Sequence, residues 1–180
     1  FKDSDKINES YAEAVDVMSG IGIIDGMTDG TFTPAGNFTR AQAAKIIAYM
    51  QLGVDAAQSL KATTNLFKDV SAGNWAAPYI SYCAQMGIIA GYGNGNFGPT
   101  DALTGYQFAK MLLCAVGYGT KGEYNGANWA INVAKDALNK GVFDNVLSAS
   151  TNSVITREQA TQMAFNTLTG IDKVTYSSLV

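Results

Sequence analysis

The stretch "FTRAQAAKII" at 38–47 recurs as "LTGYQFAKML" at 103–112 and as "ITREQATQMA" at 155–164. In each stretch a Thr is followed three positions later by a Gln, which is the capping-box pattern that starts an α-helix. Largely apolar residues then follow at the i, i+3, i+4, i+7 spacing of one helical face. The sequence therefore predicts three helices, each with one buried face.

The repeat extends upstream of these helices. "GIIDGMTDGTFTP" at 22–34 recurs as "GIIAGYGNGNFGP" at 87–99, an offset of 65 residues that also relates the first two helix starts. Gly, Asn and Asp favour tight turns, and we expect Phe32 and Phe97 to insert these turns into the core. A third copy lacks the Gly-rich turn and its Pro. We expect a first helix before each turn, near Tyr11–Ser19, Trp75–Met86 and Trp129–Lys140.

The repeat sets the predicted domain organisation. We expect a first copy at 1–53, a linker with a short helix at 54–66, a second copy at 67–119 and a degenerate third copy at 120–170. Residues 171–180 are expected to be a tail or the start of a further domain. A helix pair this short cannot bury its apolar face alone. We therefore predict an all-α fold in which three helix-turn-helix repeats share one core.

Composition limits the possible functions. The 180 residues are 47% hydrophobic and 15% charged, with a net charge of -3 and no His. No apolar run reaches the ~20 residues that span a bilayer, and Lys and Arg are scattered, so neither a membrane nor a nucleic acid is expected as partner. The absence of His removes the commonest general base and metal ligand. We expect no cofactor and no signal peptide at Phe1, as in a mature or excised part of a longer protein.

Two cysteines and the Gly-rich turns leave alternatives open. Cys83 and Cys114 lack metal-binding spacing and are expected to be small buried side chains, or a disulfide if the protein is extracellular. Asp25 and Asp29 are close enough in sequence to suggest calcium, but the pattern lacks the other ligands of an EF-hand. "GYGNGNFG" at 91–98 suggests a phosphate loop but lacks its GK[ST] ending.

Arg40 and Arg157 are not explained by helix stability. A cation in the first turn of a helix is unfavourable by roughly 0.3–1 kcal/mol. An Arg beside free backbone N–H groups suits a carboxylate or phosphate, although a local ion pair or simple solvation would also account for it. Trp75 and Trp129, with Tyr11 at the matching place in copy one, are either core residues or exposed faces for a sugar ring.

These residues carry a family resemblance. "FKDV" at 67–70 and "NWAAPYISYCAQMGIIAGYGNGNFGP" at 74–99, with the helix starts quoted above, resemble the S-layer homology repeat over about 150 residues. The resemblance implies three repeats in an all-helical, pseudo-threefold, spindle-like unit. It further implies that grooves between repeats bind secondary cell-wall polymers of Gram-positive bacteria, often bearing a pyruvate ketal, and so anchor proteins at the cell surface without covalent attachment.

The resemblance also implies roles for particular residues. The arginines would contact the acidic group, the tryptophans would supply the aromatic face, and the motif glycines would let backbone approach the sugar: Arg40, Arg157, Trp75, Trp129, Gly26 and Gly91. Gly105 replaces the expected Arg in copy two, and Asp144 lies near the Gly91 position in copy three. We therefore expect the Arg-dependent groove of copy two to be weak.

The leading hypothesis is a non-catalytic, extracellular anchoring module that belongs to a larger surface protein. It would bind a secondary cell-wall polymer or a peptidoglycan-linked glycan. The alternative is a degenerate scaffold that serves protein interaction or assembly. A glycosidase would need two carboxylates across a cleft. Asp69 and Glu158 are the available nominees, and nothing in the sequence singles them out.

Overall fold

The computed structural model describes residues 1–62 and 66–171, and within them the chain is all-α, as predicted. The linker prediction at 63–65 and the tail prediction at 172–180 lie outside the described residues. The linker does hold a short helix, at Val54–Gln58. In order, the helices are α1 Ala12–Gly20, α2 Arg40–Leu52, α3 Val54–Gln58, α4 Ala77–Gln85, α5 Gly105–Ala115, α6 Trp129–Lys140 and α7 Arg157–Gly170, with 3-10 turns at Ser4–Lys6, Glu9–Tyr11 and Leu147–Ala149. None of the described helices is long and apolar enough to cross a membrane.

The three central helices, α2, α5 and α7, begin with the predicted capping boxes. The Thr39 hydroxyl accepts from the backbone N–H of Gln42, and the Gln42 side chain accepts from the N–H of Thr39, both at 3.2 Å. The same reciprocal pair is formed in copies two and three. Each box satisfies two helix-start donors that would otherwise lack partners. The capping prediction is confirmed.

The first helix of each copy packs against the central helix of the preceding copy. α4 packs on α2, α6 packs on α5, and α1 packs on α7 at the far end of the chain. The central helix α5 also contacts both α2 and α7. Each apolar face is therefore buried by a different copy, and the contact between α1 and α7 closes a ring.

Three isolated bridges between copies follow the same cyclic order. Each joins the capping Thr of one central helix to the residue two places before the capping Thr of the next. The pairs are Thr39 with Ala102, Thr104 with Val154, and Thr156 with Asn37. This repetition is the pattern of a pseudo-threefold unit.

The turns of copies one and two are inserted into the core through Phe32 and Phe97, both fully buried, as predicted. Phe1 packs on Phe32 and Phe67 packs on Phe97, each with ring centroids 5.2 Å apart. The "FKD" segments at the start of copies one and two therefore cover the turns that follow them.

The Asp of each "FKD" segment holds the turn by its backbone. Asp3 accepts from the N–H of Phe32 at 2.7 Å and from the N–H of Thr33 at 2.9 Å. Asp69 makes the two equivalent bonds in copy two, both at 2.8 Å. These bonds, the one from Phe32 or Phe97 foremost, hold the pKa of each carboxyl below its ordinary value of 3.8.

Acid unfolding should depend on these two carboxylates. Because the pKa of each is lower in the folded chain, their stabilisation is complete above the ordinary pKa of 3.8 and is lost as pH falls through the folded values. We expect the Asp3→Asn/Asp69→Asn variant to lose less stability than the parent between pH 5 and the acid limit (roughly pH 2) in urea unfolding. Asp16→Asn, on the exposed side of α1, is the matched control. Identical acid limbs for parent and double variant would contradict the prediction.

Both cysteines are free thiols. Cys83 is buried and donates to the carbonyl of Ala44 at 3.5 Å, and burial raises its pKa to about 12. Cys114 is half-buried on α5, where burial also raises its pKa. They are accommodated as small side chains of the helix packing, and no disulfide joins them in the described chain.

Candidate functional site

Two grooves lie between the copies. Groove 1, of about 430 Å³, is lined by the copy-one turn and α2, together with one residue from copy two and two residues from copy three. Groove 2, of about 320 Å³, is lined by the copy-two turn and α5, together with residues from copies three and one. The six residues singled out in the sequence divide evenly between them: Gly26, Trp75 and Arg157 line groove 1, and Gly91, Trp129 and Arg40 line groove 2.

Each groove also contains a Gln and a Lys of its central helix that sequence reasoning did not place in a site. Gln42 and Lys45 line groove 1, and Gln107 and Lys110 line groove 2. The two lysines lie 65 residues apart, as do the two glutamines. The 65-residue offset is the sequence signal that could have identified these four residues, because it relates whole copies and not only the helix caps.

Arg40 is buried on the backbone of copy two. Its side chain is 7% exposed. Its Nε donates to the carbonyl of Phe97 at 2.8 Å and its Nη2 donates to the carbonyl of Ala90 at 2.6 Å. The guanidinium carbon lies 4.6 Å from the ring centroid of Phe97 and 4.8 Å from that of Tyr92. Burial lowers the pKa of Arg40, and neighbouring acidic groups oppose that shift.

Arg157 repeats the arrangement on copy one. It is 8% exposed, donates from Nε to the carbonyl of Phe32 at 2.8 Å, and donates from Nη2 to the carbonyl of Asp25 at 2.9 Å. Burial lowers its pKa as well. Neither arginine is the locally ion-paired or solvated side chain considered from sequence. Each one ties its central helix to the turn of the next copy.

The arginines keep donors for a groove ligand. A guanidinium carries five N–H donors, and the bonds above use one on Nε and one on Nη2. Neither arginine makes a hydrogen bond from Nη1 within the described residues. Every fully buried side-chain nitrogen or oxygen there has a hydrogen-bond partner, so both Nη1 groups are accessible. An anion in either groove can therefore meet a fixed cation that is already oriented by the fold.

The two tryptophans differ in exposure. Trp75 precedes α4 and is 57% exposed. Trp129 is the first residue of α6, is half-buried against the core, and has Nζ of Lys110 5.7 Å from its ring centroid. Both tryptophans therefore present ring surface at a groove. The sequence left open whether they were core residues or exposed faces for a sugar ring, and the structure places them at the grooves.

The glycines at the groove floors are explained by packing. A Cβ on Gly26 would lie 2.6 Å from the ring of Phe1 and 2.8 Å from the carbonyl oxygen of Thr31. A Cβ on Gly91 would overlap the ring of Phe67 in the same way. Both positions require glycine whatever the grooves bind. The backbone at each glycine comes close to a phenylalanine of an "FKD" segment, and this contact alone explains the glycine.

The acidic residues near the turns are separately engaged. Asp25 pairs with Lys45 at 2.6 Å, and Asp29 accepts from the N–H and the hydroxyl of Thr31 at 2.9 and 2.7 Å. No group of three or more potential metal ligands occurs in residues 1–62 and 66–171. Nothing in these contacts supports the calcium hypothesis.

The carboxylates nominated for a glycosidase also have structural partners. Asp69 holds the copy-two turn, as described above. Glu158, at the start of α7, accepts from the backbone N–H of Asn8 at 2.9 Å. Asp69 acts within copy two, Glu158 joins copies three and one, and neither residue lines groove 1 or groove 2.

The third junction, between copies three, two and one, is built differently. Gly105 occupies the helix position of the two arginines, and a Cβ there would overlap the carbonyl oxygen of Ala149. Tyr11, the counterpart of the tryptophans, is buried. Asn145 of the copy-three turn donates to the carbonyl of Ser10 at 2.6 Å. The chain itself thus fills the place that the arginine would take.

This arrangement corrects the expectation for copy two. Each central helix starts against the turn of the next copy, so Gly105 belongs to the junction with copy three. The copy-two turn receives its arginine from copy one, as Arg40. Groove 2 therefore has an arginine. The prediction that Gly105 weakens groove 2 was wrong, because Gly105 lies at the junction with copy three.

Comparison with known proteins identifies a family model that matches the first two copies and relatives that match more of the chain. The model of the S-layer homology domain matches residues 1–44 and 66–109. The chain is 30% identical to an uncharacterized cell wall amidase of Bacillus anthracis, over 80% of this chain and 28% of the relative. It is 34% identical to the cellulosome-anchoring protein of Acetivibrio thermocellus, over 59% of this chain and 24% of the relative. It is 30% identical to the surface-layer 125 kDa protein of Lysinibacillus sphaericus, over 94% of this chain and 15% of the relative. The chain thus spans less than a third of each relative.

Proposed function

Since this chain belongs to the S-layer homology family, we propose that it is a non-catalytic cell-wall anchoring module whose grooves 1 and 2 bind an acidic wall polysaccharide. Relatives described as S-layer and cellulosome-anchoring proteins support the anchoring role and a location at the cell wall or cell surface. Relatives that include enzymes, such as an endoglucanase, are much longer than this chain, which corresponds to 16% of that protein. The anchor would act for whatever domains accompany it.

The observation that carries the proposal is the recurrence of one set of groups in two grooves. Each groove combines a buried arginine with accessible donors, a lysine from the central helix and a tryptophan from a third copy. A carboxylate accepts strong charge-assisted bonds from the cations, and a sugar ring packs its apolar face on the indole. In a polysaccharide that carries a pyruvate ketal, the ketal supplies the carboxylate and the sugar supplies the ring. The secondary cell-wall polymer is thus the proposed partner.

Binding to the wall should depend on the two tryptophans. We expect Trp75→Ala/Trp129→Ala to weaken co-sedimentation with Gram-positive sacculi by about tenfold, since two aromatic contacts of roughly 0.5–1.5 kcal/mol each would be lost. Removing the secondary polymer from the sacculi by acid extraction should abolish binding of the parent. The tryptophans are suitable targets because they are more exposed than the arginines, whose replacement would alter the fold.

Ile131→Ala/Leu138→Ala is the matched control, because both residues are exposed on α6 and line neither groove. Its binding should equal that of the parent. Binding that survives acid extraction would redirect the proposal to peptidoglycan. A parent that binds no intact wall would overturn the anchor and favour a protein-interaction module.

A further inference from the structure

The two grooves differ in charge at one equivalent position. Asp25 follows the two isoleucines of the copy-one turn, and Ala90 stands at that place in copy two. Asp25 pairs with Lys45 at 2.6 Å in groove 1. Lys110, the counterpart of Lys45, has no carboxylate within 4.0 Å in the part of the chain that the structure describes, and lies over Trp129.

This difference changes the charge of the lining. The charged side chains of groove 1 are Asp25, Lys45 and Arg157, with a net charge of +1. Those of groove 2 are Arg40 and Lys110, with a net charge of +2. An anion entering groove 1 must compete with Asp25 for Lys45. An anion entering groove 2 needs only to draw Lys110 from the face of Trp129.

Further acids lie near groove 2 without lining it. Asp136 accepts from the hydroxyl of Tyr124, a lining residue of groove 2, at 2.7 Å. Asp101, which has Gly36 as its counterpart in copy one, accepts from the hydroxyl of Tyr92 at 2.6 Å and adds to the field at Arg40. It does not line the groove. The "FKD" aspartates, Asp3 and Asp69, act on the two arginines alike and do not distinguish the grooves.

We propose that groove 2 is the more anion-selective site of this module and that groove 1 binds acidic sugar less strongly, with position 25/90 deciding the difference. This inference rests on the proposed function, because it assumes that both grooves bind wall glycan. Its chemical content is a carboxylate held between Arg40 and Lys110, with the sugar ring on the indole that Lys110 uncovers.

The chain provides a separate reporter for each groove. It has two tryptophans, one in groove 1 and one in groove 2. Their indole N–H signals in a nitrogen–proton correlation spectrum therefore follow the two sites in one titration. The probes are a hexosamine carrying a pyruvate ketal and the same sugar with the ketal carboxylate as its methyl ester, which keeps the shape and removes the charge.

We expect the acidic probe to shift the Trp129 signal at about three- to fivefold lower concentration than the Trp75 signal, the effect of one partly exposed charge. The ester should remove that difference. Asp25→Asn should bring groove 1 to the affinity of groove 2 for the acidic probe, and Ala90→Asp should weaken groove 2 by a similar factor. Both positions are exposed, and in each variant the unaltered groove is the internal control.

The outcomes separate the inference from the function on which it rests. Equal affinities of the two grooves for the acidic probe, unchanged by either substitution, would overturn the charge assignment and leave the anchor intact. A preference for groove 2 that persists with the ester would also overturn it, since shape would then decide. No shift of either indole with either probe would overturn the binding function itself. Asp101→Asn should leave the preference in place.

Discussion

Replacing Gly105 with alanine is expected to lower the free energy of unfolding by about 3 kcal/mol or more, the upper range for steric overpacking. A Cβ at this position would overlap the carbonyl oxygen of Ala149 and lie 2.8 Å from its carbonyl carbon. The obstacle is backbone, which cannot rotate away as a side chain does. The N–H of Gly105 also donates to the carbonyl of Ser153 at 3.2 Å, so relief by separation would break that bond. Urea unfolding at neutral pH measures the effect.

Gly20→Ala is the matched control for this experiment. Gly20 ends α1, and a Cβ there meets nothing within 4 Å. Alanine should be neutral or slightly stabilising at that position, because it restricts the unfolded chain. Gly105→Arg, which restores the residue of the other two copies, should destabilise at least as much as Gly105→Ala. Equal stability of Gly105→Ala and Gly20→Ala would contradict the account of the third junction.

Replacing either arginine with alanine is expected to destabilise the fold by about 2–4 kcal/mol, because each guanidinium makes two charge-assisted bonds to backbone carbonyls of the next copy. Arg40→Ala would leave the carbonyls of Phe97 and Ala90 without these donors. Arg157→Ala would do the same to the carbonyls of Phe32 and Asp25. Thermal and urea unfolding of each single variant measure the loss.

Arg40→Lys tests the geometry of this contact. A lysine keeps the charge but lacks the planar fork that reaches two carbonyls at fixed separation, so most of the destabilisation should remain. Lys135→Ala, an exposed cation on α6, controls for loss of charge and should change stability by less than about 0.5 kcal/mol. Arginine variants as stable as the parent would show that these bonds contribute little to the junctions.

This structural role explains why arginine variants are poor tests of wall binding by themselves. A variant that loosens the contact between a helix and the next turn also deforms the groove between them. The exposed Trp75 and the position 25/90 pair report on binding with less disturbance of the fold.

The features that sequence predicted well are local ones. A capping box is formed by residues three apart, and a helical face repeats every three or four residues, so both are visible in one stretch such as 38–47. The burial of Phe32 and Phe97 was likewise predictable from the turns that hold them. The family resemblance proposed the arginines and tryptophans as groove residues, and all four line one of the two grooves.

The features that the sequence did not predict depend on which copies contact one another in the fold. No local pattern states that the start of α2 contacts the turn of copy two, so Gly105 was assigned to the wrong junction. The carbonyl acceptors of Arg40 and Arg157 are backbone atoms 50 to 132 residues away and have no sequence signature. The pairing of Asp25 with Lys45 joins a turn to a helix 20 residues later, and only the fold brings them together.

The contact between α1 and α7 has a consequence for how the chain folds. These helices are separated by more than 130 residues. Bringing them together costs loop-closure entropy, so this contact is unfavourable until most other contacts exist. An emerging chain can form α2 and α4 early, yet α1 lacks its main helical neighbour until α7 is present. Folding to completion is therefore coupled to the arrival of the last helix, and the unit stays incompletely folded until α7 has been synthesised.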